Sequence, residues 1–504
     1  MAIRREMRTY KTWMALALFG LAFFHAGFGQ FVPPGSPNYS YRWYGNGESC
    51  EYLFLGTFRP IIPSPKRGTN MLLDRTGDLV WYQQGSDFTL DFKVHPNGRI
   101  TYNDRLRWYV LDSGFNVIDT LQCDGRVTDH HDIILTDDGH YYMICRNDST
   151  MDASGIRTKN GAQGSTQAQV RMVVIQELDE NEEMVKEWNG FDTYSIYDSD
   201  TTFFTNPGLL DLSHTNSIDL DGNGNLMVSH RHLNEVTLID WQTGQVKWQM
   251  GGKNNAFDLL GDPGFFGQHD ARFLPGNKIS IYDNGHGQHT GRGIVVDVDT
   301  LNWEAETVAV WDDSLTSLSM GSFRVLQDGS ALVGWGEMTV SWDPAVTYYG
   351  PNGNKVFDIF LSSGYSTYRV QCMSLPFQLH RPQITCTQQS GQAVLSVDGV
   401  FGEYSWTNGD TLPSIVVTDT GRYQVFVPYG IGMISSPPMY ITDVQNACSA
   451  LESPAPAPTT PKTPKLVGRF DLLGHPITQP QPFQVYIERF SDGSSRKRVL
   501  IPNQ

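Results

Sequence analysis

Positive charge is scarce in this chain of 504 residues: 37 lysines and arginines face 54 aspartates and glutamates, a formal net charge of −17. That balance argues against nucleic acid or an anionic membrane surface as the main partner. Any anionic small molecule would have to be met by a local positive cluster. Cysteine is also sparse. The six, Cys50, Cys123, Cys145, Cys372, Cys386 and Cys448, form no Cys-x-x-Cys motif, which removes the usual zinc-ribbon and thioredoxin-type signals. Their even number suits disulfides in an oxidising compartment. Cys386 and Cys448 bracket one compact segment and form the favoured pair, while the rest of the connectivity stays open. No His-x-x-x-His spacing supports a metal site, and no metal or other cofactor is expected. After the N-terminus no apolar run approaches membrane-spanning length, so no transmembrane segment is expected in the mature protein.

The one apolar run, Trp13 to Phe24, follows Arg4, Arg5, Arg8 and Lys11 and precedes the small residues Gly27 and Gly29. This is the pattern of a secretion leader over residues 1–29, cut before Gln30. The length predicts two or three domains. With 49 glycines, 12% aromatics and only 18% charged residues, the composition favours an all-β protein.

From about 50 to 375 one pattern recurs: an apolar strand, a turn ending in glycine, a second strand, and a stretch closing near tryptophan. Units begin at Tyr52, Phe92, His131, His214, His269 and Phe323. Their first turns fall at Asn97-Gly98, Asp138-Gly139, Asn223-Gly224, Pro275-Gly276 and Asp328-Gly329. Self-similarity at forty to fifty residues, with four strands per unit, predicts a β-propeller of six blades. Residues 384–448 read as a separate immunoglobulin-like β-sandwich. A proline-rich linker over 449–464 follows, then a small C-terminal β unit over 465–504.

Within the units, histidines recur at strand ends in His130-His131-Asp132, His214-Thr215-Asn216, Ser229-His230-Arg231-His232 and Gln268-His269-Asp270. A hairpin returns the chain to its starting level. His131 and Arg146, His214 and Arg231, and His269 and Asn284, each roughly equidistant from a turn, should therefore share one end of a central channel. Arginine forks would hold a tetrahedral oxyanion, and neutral imidazole would act as nucleophile or base. His230 and His232 alternate with Arg231 and read as structural. His95, His140, His286, His289 and His380, out of phase, read as surface or turn residues. Asp219-Leu-Asp221-Gly-Asn223 imitates a calcium loop, but His230 stands where a glutamate is required.

The ordered phrases His214-Thr-Asn-Ser-Ile, Ser229-His-Arg-His, Val246-Lys-Trp-Gln-Met-Gly-Gly, Gln268-His-Asp-Ala-Arg and Tyr282-Asp-Asn-Gly resemble the arylsulfate sulfotransferase family. The resemblance implies a six-bladed propeller that moves a sulfuryl group from an aryl sulfate donor to a phenolic acceptor. Position by position, His269 resembles the transiently sulfated nucleophile. His214 and Arg231 resemble the residues around the sulfuryl and leaving oxygens, with Asn216 nearby, and His131 resembles the remaining active-site histidine. Arg146 and Asn284 join Asn216 as candidate substrate-binding residues. A non-catalytic propeller binding a sulfated or carboxylated ligand, and a sulfatase using water, are the alternatives. In the tail, Lys465-Leu-Val-Gly-Arg-Phe-Asp and Val485-Tyr-Ile-Glu-Arg-Phe-Ser-Asp-Gly resemble a type IX secretion sorting domain. That implies the type IX machinery as a partner and a secreted or cell-surface location.

Overall fold

A computed structural model describes residues 38–448, apart from 45–49, 59–67, 86–88, 105–106, 263, 339–341 and 363. Beyond these it describes the strands Leu466–Phe470, Pro476–Ile477, Val485–Phe490 and Ser495–Val499, which pair as one small sheet. The expected leader and proline-rich linker lie outside the described residues, as do the residues between the four tail strands. No α-helix occurs among the described residues, and no helix is long and apolar enough to cross a membrane.

The body is a succession of antiparallel meanders whose first hairpins turn where the glycines predict. The second meander starts with Lys93–Val94, the third with Val127–Leu135, the fourth with Thr215–Leu220, the fifth with His269–Leu274 and the sixth with Ser322–Val325. The first consists of Tyr52–Phe58, Thr69–Asp74 and Leu79–Gln84, and its missing inner strand arrives only after the sixth meander, as Ser366–Met373. That pairing is stapled by a Cys50–Cys372 disulfide. The inner strands of the third, fourth, fifth and sixth meanders and Ser366–Met373 pack in sequence, each beside the next. One boundary shifts. Tyr39–Trp43, ahead of the expected start at 50, pairs with Lys355–Leu361 and extends the sixth sheet.

Residues 384–448 are not separate. Gly432–Ser435 pairs with Leu79–Gln84, so the first sheet runs on into the C-terminal unit as a seven-stranded sheet. Trp81, fully buried, donates its indole N–H to the Tyr429 carbonyl at 3.1 Å and sits in one core with Phe92, Phe115, Trp406 and Val425. Arg422 pairs with Asp78 at 2.7 Å across the same junction. The Cys386–Cys448 disulfide is present, as is Cys123–Cys145.

Where the inner strands meet, the centre is filled with charge. Arg369 contacts Asp91, Asp132 and Asp270 at 2.9, 3.3 and 3.1 Å. Arg272 contacts Asp132 and Asp270 at 2.6 and 2.9 Å, and Lys93 contacts Asp91 and Asp132 at 2.7 and 2.5 Å. Arg324 joins Asp270 at 2.9 Å. These side chains are buried or nearly so and come from five meanders. Each is therefore tolerable only while its partners remain.

Candidate active site

Immediately beside this centre the inner strands break register. In the third meander pairing jumps from Met143↔Ile133 to Cys145↔Thr128, in the fourth from Thr215↔His230 to Ser217↔Ser229, and in the fifth from His269↔Tyr282 to Arg272↔Ser280. Bulges of this kind re-aim side chains. His214 (φ +43°) and Asp270 (φ +55°) take left-handed backbone conformations there, a strain characteristic of functional sites. The bulge also corrects one expectation. Arg146 pairs with Val127, so His131 does not mirror it across the hairpin. The two nevertheless reach the same space.

That space is a cavity of about 670 Å³ lined by His131, His214, His269, Arg146, Arg171, Arg231, Tyr368 and Met320 among others. The rings of His131 and His214 meet edge-on at 5.1 Å, and Tyr368 lies 5.6 Å from His131 and 6.2 Å from His269.

The three histidines are held in two different ways. His131 Nδ1 bonds the carboxylate of Asp129, which also accepts the His131 backbone N–H at 2.9 Å. His214 repeats the device: its Nδ1 meets Asp211 Oδ2 at 2.8 Å, and its backbone N–H donates to Oδ1 at 3.0 Å. Burial would raise both carboxyls, but the imidazoles hold them well below the usual carboxylate range. His269 has an amide instead. Its Nδ1 meets Asn284 Oδ1 at 2.7 Å, while the Asn284 NH₂ donates to Ser317 Oγ and the Met320 carbonyl, both at 2.9 Å. Those acceptors fix the amide orientation, so His269 must carry its proton on Nδ1. Nε2 is then the lone-pair nitrogen, consistent with the Met320 N–H 3.3 Å away. Burial, with Arg231 and the other histidines nearby, keeps His269 neutral, its pKa well below the ordinary 6.5. Burial also lowers His214, against the pull of Asp211.

Arg231 is the cation of the group. Its guanidinium stacks on Phe203 at 4.6 Å, donates to His232 Nε2 at 3.0 Å and to the Leu318 carbonyl at 3.4 Å, and leaves a buried Nε unpartnered. Burial pushes it down to about 10, still cationic at neutral pH. Arg146 is forked onto Asp148 at 2.7 and 3.0 Å.

The two asparagines do not line the cavity. Asn216 is fully buried and donates to the Gln268 carbonyl at 2.7 Å, bracing the residue before His269. Asn284 stands behind His269. His232 holds the Asp211 carbonyl at 2.6 Å and stacks on His214, a structural role as expected. His230 is buried against Thr215 at 2.8 Å. His95, read as a surface or turn residue, opens the Asn97-Gly98 turn, where its carbonyl accepts the Gly98 N–H at 2.9 Å, but its side chain is buried, bonding Thr101 Oγ1 at 2.8 Å. Asp129–His130–His131 and Asp211–His214–His232 have ligand-like spacing for a metal ion. In the second set Nε2 of His232 already receives the Arg231 N–H, so an ion there would face a guanidinium.

Sequence reasoning missed Asp129, Asp211, Arg171 and Tyr368. The two aspartates stand two and three residues before their histidines and could have been found by that spacing. Arg171 and Tyr368 carry no comparable local signal.

The arylsulfotransferase (ASST) family model matches residues 99–361, over half of the chain and all the cavity histidines. The chain belongs to the arylsulfotransferase family. Membership supports an arylsulfotransferase-type enzyme acting on small molecules. No curated protein matches this chain. Among solved structures, a protein of unknown function from Bacteroides caccae aligns at 11% identity over 64% of this chain and 99% of its own, with a TM-score of 0.41. A functionally unknown protein from Desulfotomaculum acetoxidans aligns at 10% identity over 63% and 88%, with a TM-score of 0.33. A catalytically inactive virginiamycin B lyase from Staphylococcus aureus with quinupristin aligns at 7% identity over 71% and 96%, also at 0.33.

Proposed function

We propose that this protein is an exported aryl sulfotransferase that passes a sulfuryl group from an aryl sulfate to a phenol through a sulfo-histidine at His269. The observation that carries the reading is the contrast between one amide-backed and two carboxylate-backed histidines in a single cavity. A neutral imidazole whose Nδ1–H rests on an amide presents a lone pair at Nε2, as a nucleophile must. An imidazole backed by a carboxylate takes up and returns a proton readily, as a general acid–base must.

In the first half-reaction His269 Nε2 attacks sulfur and the sulfur–aryl oxygen bond breaks as the sulfur–nitrogen bond forms. With the sulfate bound, His214 enters this step as the imidazolium, its charge offset by Asp211, and gives its Nε2 proton to the departing oxygen, which leaves it neutral. In the second, an acceptor phenol gives its proton to His214 Nε2, its oxygen attacks sulfur, and His269 returns to the neutral state. Arg231 offsets charge on the sulfuryl oxygens, and His131 stands beside His214 on the cavity wall. An amide behind His269 leaves the sulfated ring cationic and a good leaving group, whereas a carboxylate would stabilise that cation and slow the second step.

The same reading takes the six meanders as blades of a propeller closed by Ser366–Met373, and 384–448 as an immunoglobulin-like module fused to the first blade. It takes 1–29 as an export leader and 465–504 as a type IX sorting tail on a secreted or surface protein. Three disulfides support an oxidising compartment.

The test is a chromogenic aryl sulfate with and without phenol, together with intact-mass analysis after donor alone. Phenol-dependent chromophore release and a single sulfuryl adduct that disappears in His269→Ala are expected. Release indifferent to phenol would indicate a sulfatase. Turnover retained by His269→Ala would remove the assignment.

A further inference from the structure

The cavity offers one guanidinium that, among the described residues, neither the histidines nor a carboxylate engages. Three arginines line it, and Arg231 stands with the histidines. Arg146 and Arg171 lie on neighbouring strands of the third meander, Tyr141–Met151 and Ala168–Leu178. In that pairing Arg146 opposes Val173 and Asp148 opposes Arg171. Directly opposed residues share a face, and so do residues two apart on one strand. Arg146, Asp148 and Arg171 therefore stand together. Asp148 commits both oxygens to Arg146, at 2.7 and 3.0 Å. Arg171 has no carboxylate partner among the described residues, and its Nε is buried without a hydrogen bond. None of the other acids of the cavity pairs with Arg171: Asp129 and Asp211 meet histidines, and Glu337 accepts from Ser319 at 2.8 Å. An aryl sulfate carries a single negative charge, which Arg231 answers. A guanidinium without a carboxylate partner, in the same cavity, can take a second anion.

We propose that Arg171, with Arg146 beside it, forms a second anion subsite that takes a carboxylate carried by the aryl substrate, away from the group being transferred. The proposal rests on the transferase reading only for what occupies the Arg231 end. The planar two-oxygen fork of a carboxylate matches the planar guanidinium of Arg171. Val173, Leu318, Met320 and Tyr368 supply apolar and aromatic wall for the ring. The preferred phenols would then be hydroxyaryl acids.

The test uses ligands that do not react. Phenylpropionate and its neutral isostere phenylpropionamide are titrated calorimetrically into the wild type, R171Q, R231Q and D148N. The wild type should bind the acid at least about tenfold more tightly than the amide, the scale of one charge-assisted hydrogen bond. R171Q should lose that ratio while R231Q keeps most of it. D148N, at an exposed position, should raise it by freeing Arg146, and decides the matter alone if R171Q fails to fold. No preference for the acid, a preference carried by Arg231, or a ratio that falls in D148N would overturn the subsite. Because binding needs no turnover, an Arg171-dependent preference in a protein without sulfuryl transfer would remove the transferase reading and leave the subsite. Phenol-dependent transfer without the preference would do the reverse.

Discussion

Replacing Asp211 with asparagine separates the two halves of the proposed reaction. The Asp211 carboxylate makes two bonds to one residue, 2.8 Å to Nδ1 and 3.0 Å from the backbone N–H of His214, and it sits under a residue held at φ +43°. An amide has one acceptor oxygen. If that oxygen keeps the backbone N–H, the NH₂ faces Nδ1 and drives the proton to Nε2. His214 could then no longer accept the proton of an acceptor phenol. Losing a general base costs roughly 10²–10⁴ in rate, about 3–5 kcal/mol at 1.36 kcal/mol per factor of ten. Attack on nitrophenyl sulfate needs less help, because nitrophenolate departs without a proton, and should slow by no more than about tenfold. Rapid mixing with donor reads both: the variant should retain a burst of chromophore at near wild-type amplitude, followed by an acceptor-dependent phase slowed by the larger factor. A burst that vanishes, or two phases slowed equally, would show that His214 does not divide the work in this way.

Arg369→Met strips three carboxylates of a shared cation and should lower stability by roughly 3–5 kcal/mol; a urea midpoint shift worth under about 1 kcal/mol would contradict it. Asn284→Asp should let a sulfo-enzyme accumulate, seen as a persistent mass adduct in the presence of phenol, and prompt clearance of the adduct would count against the leaving-group argument. Burial holds His95 and His230 down to about 3 in the folded protein, whereas the unfolded chain titrates near 6.5. The unfolded state therefore takes up protons first, and stability present above about pH 6.5 should be lost progressively toward pH 3; a urea midpoint no lower at about pH 5 than at about pH 7.5 would refute this. Reducing Cys386–Cys448 should cost about 2–4 kcal/mol in the C-terminal unit. Because that unit shares a sheet and core with the first meander, hydrogen exchange around Leu79–Gln84 should rise as well, and unchanged protection there would show the junction to be loose.

Local chemistry made the meanders legible. Asn97-Gly98, Asp138-Gly139, Asn223-Gly224 and Asp328-Gly329 are turn sequences whose glycines need positive φ, and they have it. What escaped was non-local. Ser366–Met373 pairs with Tyr52–Phe58 across more than three hundred residues of chain, and Gly432–Ser435 pairs with Leu79–Gln84 across a similar span. No periodicity signals either pairing, because each partner reads as an ordinary strand.

The site was legible for a related reason, and its limits follow from strand geometry. Successive residues of a strand point to opposite faces, so the repeated dipeptides His131-Asp132 and His269-Asp270 divide into two layers. The histidines line the cavity and the aspartates enter the charged centre. The sequence displays the dipeptide twice, yet only the histidine has an obvious chemical use, and the meaning of the aspartate depends on Arg369 and Arg272. Arg369 sits on the last inner strand. It also donates to the carbonyls of His131 and Asn216, at 3.3 and 3.0 Å. Ser366–Met373 thus holds the backbone beneath the histidine phrases of the third and fourth meanders and, through Asp270, that of the fifth. The three histidines therefore converge through the direct packing of their own strands and through the hold of Arg369 on the backbone beneath them.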